Sequence, residues 1–304
     1  MKEVKLTILG AGSAVPMKKR SQPSQVLSIR NKQFMFDCGE GSQNYLESYA
    51  ISVSRLDHIF ISHLHGDHCF GLLGLVSTMG MKKRRNDLYI HCHPDLKDIL
   101  SPALKFFCKD LPFDLHFVPF SPLESELLYE DKSLTIHSFP LVHSVPSSGF
   151  LFKEKIKDRH IIREKIDFFK IPIKQIPLIK SGADFVTDDG VVIPNSQLTT
   201  APSPSFSYAY CSDTLYSERV INYIEGVDCL YHEATFLHED LARAKATLHS
   251  TALQAATIAS KANVKELILG HFSARYRNLF LFKEEAQTIF KNTLIAKDGE
   301  IFEW

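Results

Sequence analysis

A chain of 304 residues can bury a substantial core and falls between one large domain and two ordinary ones. Hydrophobic content of 44% and charged content of 23% are those of a soluble globular protein, and the longest apolar runs are far too short to span a bilayer. The 35 basic and 35 acidic side chains cancel, which excludes binding of polyanions through bulk charge.

Residues 4–9 alternate apolar and polar side chains over a strand's length and break at Gly10-Ala11-Gly12. Met1 leads straight into this run without the apolar stretch of a secretion signal. Six cysteines (Cys38, Cys69, Cys92, Cys108, Cys211, Cys229) form no CxxC pair, so a cytoplasmic chain with reduced thiols is expected. A hairpin is predicted from 25–29 and 33–36 with the turn at 30–32, then a polar, glycine-rich stop at Asp37-Cys38-Gly39-Glu40-Gly41 and a helix through Tyr49. Residues 58–62 read as a short strand and 70–79 as a helix. His91-Cys92-His93, followed by Pro94, reads as a surface loop rather than a metal site.

In the second half, 207–211, 229–232 and 266–269 read as buried strands. Thr251-x-x-Gln254 is a capping-box pattern opening a helix over 252–262. Periodicity alone supports a mixed α/β (α+β) class; two halves that each supply strands and outer helices fit a four-layer αββα sandwich. The stretch 150–204 differs. It is rich in Lys and Ile, carries Pro172, Pro177, Pro194, Pro202 and Pro204, and reads as an arm inserted into a single domain spanning 1–304. Between Phe150 and Gly182 nine cations face four anions, so this segment stands at +5 and the rest of the chain at −5.

His63-Leu64-His65-Gly66-Asp67-His68 follows directly on the strand ending at Ser62. Imidazole nitrogen and carboxylate oxygen are ligands that zinc accepts, and four of them within six residues at a strand end can divide between two metals. Further ligands are sought just past other strand-like runs. His143, Asp213 and His271 all stand in that context.

HLHGDH, the downstream His, Ser212-Asp213-Thr214 and the last His beside Gly270 resemble the metallo-β-lactamase superfamily. More closely, the chain is similar to the ribonuclease Z family of tRNA 3′-processing endonucleases. The marks are Leu9-Gly10-Ala11-Gly12-Ser13, Phe36-Asp37-Cys38-Gly39-Glu40-Gly41, His232-Glu233-Ala234-Thr235-Phe236, His249-Ser250-Thr251 and His271-Phe272-Ser273-Ala274-Arg275-Tyr276. The resemblance implies the αββα metallo-β-lactamase sandwich and two Zn2+ per subunit, one held by His63, His65 and His143, the other by Asp67, His68 and His271, with Asp213 between them. It implies two-metal hydrolysis that removes 3′ trailers from precursor tRNA and leaves a tRNA 3′-OH. Asp67 would orient the water or accept its proton. His249, ahead of a helix start whose free N–H groups favour a phosphate, would protonate the leaving oxygen with Glu233 as its partner. The arm would grip tRNA through Lys153, Lys155 and Lys157; Lys18, Arg20 and Arg275 would also contact RNA. A homodimer without membrane association is implied. The chain departs from the family pattern in lacking a Gly-Pro pair in 171–177 and in reading Pro16-Met17-Lys18-Lys19-Arg20-Ser21 where a Pro-x-Lys-x-Arg-Asn pattern is common. A small-molecule hydrolase of the same superfamily, a phosphodiesterase or thioesterase, is the alternative; the basic insertion and the HEAT and HST sequences argue against it.

Overall fold

The computed structural model describes residues 4–304. Two seven-stranded sheets dominate it. The first is built from β1 (Val4–Gly10), β2 (Ser24–Ile29), β3 (Lys32–Cys38), β4 (Leu56–Phe60), β5 (Leu88–Cys92), β6 (Leu115–Pro119) and, from the far end of the chain, β18 (Ile301–Glu303), in the order β18-β1-β2-β3-β4-β5-β6. The second contains β7 (Leu127–Glu130), β8 (Leu134–Leu141), β9 (Ser147–Glu154), β14 (Ser207–Cys211), β15 (Cys229–Glu233), β16 (Glu266–Gly270) and β17 (Thr293–Ile295), in the order β17-β16-β15-β14-β9-β8-β7. The first three strands of the chain pair antiparallel, and β3 to β6 run parallel. In the second sheet β14 to β17 run parallel. The β2–β3 turn is tighter than predicted: Ile29 pairs with Lys32, so Arg30 and Asn31 alone make it, with Arg30 at φ 53.

Aromatic side chains on the facing surfaces of the sheets fill the centre. Phe36 and Phe60 on the first sheet stack on Phe150, Tyr208 and Tyr210 on the second, with ring centroids 5.5–6.0 Å apart. The outer face of the first sheet is covered by helices α1 (Ser42–Ser48), α2 (Gly66–Cys69), α3 (Gly71–Met81) and α4 (Asp95–Phe107), around Leu72, Leu75, Met79 and Leu96. On the outer face of the second lie α8 (Ile221–Ile224), α10 (Ala252–Lys261) and α11 (Phe280–Gln287), around Ile224, Ala255, Ala259 and Phe282. These layers make the αββα sandwich. Helix α10 opens with the capping box read from the sequence, Thr251 accepting from the Gln254 amide and Gln254 from that of Thr251. One local reading is corrected. His91 is not on a surface loop but 2% exposed on β5, because its ring stacks on Phe60 at 4.4 Å and its Nε2 meets His58 at 3.1 Å.

Contacts divide the chain into two compact units, the smaller one formed by Glu130–Thr135 and Lys153–Phe206. Within it β10 (His160–Ile161) pairs with β13 (Thr199–Thr200), and β11 (Phe185–Val186) with β12 (Val192–Ile193). Three short helices, α5 (Arg163–Phe168), α6 (Ile176–Lys180) and α7 (Asn195–Leu198), complete it, with α9 (Leu241–Ala246) belonging to the larger unit. The isoleucine-rich, proline-broken sequence hides a small core of its own: Ile171, Ile179, Phe185, Ile193 and Leu198 are buried together. Asn195 ties that core, its Nδ2 donating to Ile179 O at 2.6 Å and Ala183 O at 2.7 Å.

Candidate metal centre

The chemistry gathers where strands end. In parallel sheets the carboxyl ends of neighbouring strands open onto a crevice, the usual place for a site in such sheets. Here both sheets contribute. Past β4 come His63 to His68, past β8 comes His143, past β14 comes Asp213, and past β16 comes His271. Ile59, Phe60 and Ile61 are fully buried and anchor the first of these ends in the core. His65 is still extended, and α2 then turns back at once, bringing Asp67 and His68 inward. Gly66 permits that turn, since a Cβ there would stand 2.4 Å from the Phe70 ring.

The structure brings all seven predicted ligands together. His65 Nδ1 lies 3.1 Å from His63 Nε2 and 3.2 Å from His143 Nε2, and Asp213 Oδ2 lies 3.6 and 3.7 Å from those two Nε2 atoms. On the other side Asp213 Oδ1 is 3.1 Å from His271 Nε2 and 3.4 Å from His68 Nε2, which are 3.6 and 3.4 Å from Asp67 Oδ2. A tetrahedral divalent ion of zinc's size, with ligands about 2.0–2.1 Å away, spaces its donors about 3.3–3.4 Å apart. Each set of four donors matches that edge length, and Asp213 gives one oxygen to each. His68 Nε2, His271 Nε2 and Asp213 Oδ1 are buried without a hydrogen-bond partner, a costly arrangement unless a cation joins them. The donor sets therefore fit a pair of metal ions.

Electrostatics agree. Burial would raise the Asp213 carboxyl, but the charges of His271 and His68 override it and hold it well below the carboxylate range. Asp67 is likewise held low against burial, chiefly by His68. Burial pushes His63 well below the imidazole range, leaving a neutral ligand. For His68 burial is outweighed by Asp213, Asp67 and Asp37, which raise it well above the ordinary value. A bound cation would replace that proton.

Four of the five imidazoles, all but His65, are aimed through their Nδ1 atoms. His68 Nδ1 donates to Asp37 at 2.7 Å, His143 Nδ1 to Leu248 O at 2.9 Å, His271 Nδ1 to Thr235 Oγ1 at 2.8 Å and His63 Nδ1 to Ser62 Oγ at 3.0 Å. These bonds fix the tautomers and leave Nε2 lone pairs facing the metal positions. Sequence reasoning gave Asp37 no role. It is fully buried and also accepts from the Ser62 amide at 2.7 Å, the Ser62 hydroxyl at 2.8 Å and the Tyr210 hydroxyl at 2.7 Å. The signal was available: Asp37 comes near the end of an apolar strand, the context that singled out Asp213.

Glu233 and His249 stand beside this centre. Glu233 is wholly buried; it accepts from the Thr214 and Ser250 amides, from the Thr235 amide and hydroxyl, and from His249 Nδ1 at 2.8 Å. Burial would lower the His249 imidazole, but the Glu233 charge and hydrogen bond push it up to about 9. His249 lines a cleft of about 440 Å³ with His65, Asp67, His143, Asp213 and His271. The expected free amides at the start of α10 are absent. The Ser250, Thr251, Ala252, Leu253 and Gln254 N–H groups donate respectively to Glu233, Gln254, Phe236, Glu285 and Thr251, so they offer a phosphate nothing.

The basic residues differ in placement. Lys18 and Arg275 are exposed, as is Lys153 in the smaller unit. Lys155 pairs with Glu130 at 2.6 Å and Lys157 with Glu154 at 3.0 Å. Arg20 is corrected outright: it is 9% exposed and its guanidinium is bonded to three backbone carbonyls, so it has no free face for RNA.

The family model described as anti-Pycsar protein Apyc1 matches residues 4–166, which hold the first sheet apart from β18, HLHGDH and His143 but not Asp213, Glu233, His249 or His271. Other relatives match nearly the whole length of the chain. The ribonuclease Z of Phocaeicola vulgatus is 50% identical over 298 residues, covering 98% of this chain and 96% of that protein, and that of Parabacteroides distasonis is 50% identical over 299 residues, covering 98% of each. The chain belongs to the ribonuclease Z family. The crystal structure of human tRNase Z, short form, superposes with a TM-score of 0.70 at 24% identity over 98% of each chain, and the metallo-β-lactamase fold protein YhfI from Bacillus subtilis with 0.68 at 18% over 99% and 100%. Both share the fold. Membership of the ribonuclease Z family makes the chain a metal-dependent ribonuclease and disfavours the small-molecule alternative.

Proposed function

We propose that the chain is a zinc-dependent endoribonuclease that removes 3′ trailers from precursor tRNA, leaving a 3′-OH on the tRNA. The observation that carries this reading is Asp213, whose two oxygens face two separate donor sets with the Glu233–His249 pair alongside. Two zinc ions, one on His63, His65 and His143 and one on Asp67, His68 and His271 with Asp213 between, would supply an acidified water and positive charge against the phosphodiester. Asp67 orients that water or accepts its proton. As water's oxygen bonds to phosphorus, the bond to the 3′-oxygen breaks, and His249 gives that oxygen the proton on Nε2. Glu233 holds His249 by its Nδ1–H, which keeps the donating nitrogen toward the cleft.

RNA is gripped by the exposed Lys18 and Arg275 and by the inserted unit through Lys153, Lys155 and Lys157. Support for the latter comes from the +5 charge of the stretch that contains them. The enzyme acts as a cytoplasmic homodimer, a reading that rests on family resemblance; among the described residues no helix is long and apolar enough to cross a membrane. The test is incubation with a 3′-extended precursor tRNA, with and without chelator, mapping the product end. Cleavage at the trailer junction that chelator abolishes is expected. Asp67→Ala should bind the precursor and not cut it; cutting by that variant would refute the mechanism.

A further inference from the structure

His271 has φ 60, in the left-handed region that an L-residue adopts only at a cost. Neighbouring contacts must hold it there. The next residue, Phe272, lies along the loop that follows β1: Phe272 N donates to Ala11 O at 3.0 Å and Ser13 N to Phe272 O at 3.2 Å. Beneath this seam runs the Arg20 side chain. Its Nη1 reaches Phe272 O at 3.2 Å and Ser273 O at 3.1 Å, and its Nη2 reaches Tyr276 O at 2.8 Å. Three carbonyls converging on one planar fork is a geometry that guanidinium matches and an ammonium does not. The loop is closed around that fork: a Cβ on Gly12 would stand 2.9 Å from Ser21 O and 3.2 Å from Arg20 Cγ. Asp298 secures both its ends, accepting from Ala11 N at 3.1 Å and Ser21 N at 2.6 Å.

We propose that Arg20 is a positioning residue for the second metal position: its fork locks residues 272–276 so that His271 stays in its left-handed conformation with Nε2 toward Asp213, and it makes no contact with RNA. The inference rests on the reading of His271 as a ligand. It also accounts for the sequence position, since a cation in this loop is needed by the protein itself. Ser13 and Ser273, on the two sides of the seam, both line the cleft, so the same fork fixes its rim.

Arg20→Lys keeps the charge and removes the fork, and is the decisive variant; Arg20→Ala accompanies it. Zinc retained against a chromogenic chelator is measured, together with kcat and KM on bis(p-nitrophenyl) phosphate and on precursor tRNA at several salt concentrations. Expected for Arg20→Lys is a roughly 10–100-fold weaker affinity for one zinc, of the size seen when a ligand's supporting partner is lost. A similar fall in kcat should appear on both substrates, with the salt slope for precursor tRNA unchanged. If Arg20→Lys instead matches the wild type in zinc affinity and on both substrates, the proposal is overturned. It is overturned equally if Arg20→Ala raises only the KM for tRNA and flattens the salt slope by about 1, the signature of a lost phosphate contact. Should Arg20→Ala not fold, Arg20→Lys decides. Failure of the wild type to cut precursor tRNA would sink the substrate reading, while the zinc and small-substrate comparisons would still judge Arg20.

Discussion

Replacing Asp37 by Asn changes one atom of a fully buried side chain and should disable a metal position it does not touch. Oδ1 stays an oxygen and keeps the Ser62 amide. The new Nδ2 takes the place of Oδ2 and faces the Ser62 hydroxyl, the Tyr210 hydroxyl and His68 Nδ1. Hydroxyls can rotate and accept from it. His68 cannot keep its proton on Nδ1 against an N–H, so the proton shifts to Nε2, the atom that faces Asp67 and Asp213. The ligand's lone pair then points the wrong way. Restoring it means forfeiting a charge-assisted hydrogen bond of about 1.5–3 kcal/mol. At about 1.4 kcal/mol per decade that is roughly a 10–150-fold loss of affinity for one of two zinc ions. Competition titration with a chromogenic chelator measures it, and differential scanning calorimetry with and without zinc supplies a second reading. The rise in Tm on adding zinc should shrink in Asp37→Asn. Two zinc ions bound with wild-type affinity would refute the tautomer argument, whatever happened to the stability of the metal-free protein.

Three further outcomes are expected. Glu233→Gln removes the charge that raises His249 to about 9, so the alkaline limb of the kcat–pH profile should move down by about 2 units toward the ordinary imidazole value; an unmoved limb would show that His249 is not the acid. Burial depresses His58 to about 4 and His91 to about 3. The unfolded chain takes up protons near pH 6.5 and the folded chain refuses them until much lower pH, so this stability is whole above 6.5 and is lost as pH falls toward 4. His91→Phe should therefore flatten the fall in urea-unfolding free energy between pH 7.5 and 5 by about 1–2 kcal/mol, and an identical fall would refute the assignment. Replacing Lys153, Lys155 and Lys157 together by Ala should raise KM for precursor tRNA and lower the magnitude of its salt slope by up to about 3, with a much smaller effect on bis(p-nitrophenyl) phosphate. Equal effects on both substrates would count against an RNA-gripping role.

The candidate metal centre was legible because its donor residues obey a local rule, a His or Asp just past an apolar strand, and HLHGDH, His143, Asp213 and His271 all satisfy it. Asp37 stands one residue before the end of β3, so it narrowly misses that rule, and its work is to bond an imidazole brought to it by α2. Arg20 misled for a related reason. A cation in a loop reads as exposed unless the three carbonyls that surround it are known, and those lie more than 250 positions away. His91 was misplaced by the proline that follows it, although its own strand ends at Cys92. The amides of α10 looked free because only the capping box is local; Glu233, Phe236 and Glu285 reach the others from elsewhere. The small unit's core eluded periodicity because four of its five buried residues come from short helices and two-residue strands and the fifth, Ile171, from a connecting segment.

The order in which the ligands occur along the chain has a consequence for synthesis. Six of the seven are in place by residue 213, but the second donor set lacks its last imidazole until residue 271 of 304. Strand β1, the first described, is paired on one side by β18, the last. A chain emerging from the ribosome therefore carries Asp67 and His68 for most of its synthesis without the partner that completes their site. If a second ion binds there, its loading has to wait until residue 271 has been made, and a product cut short before that residue is left unable to hold it.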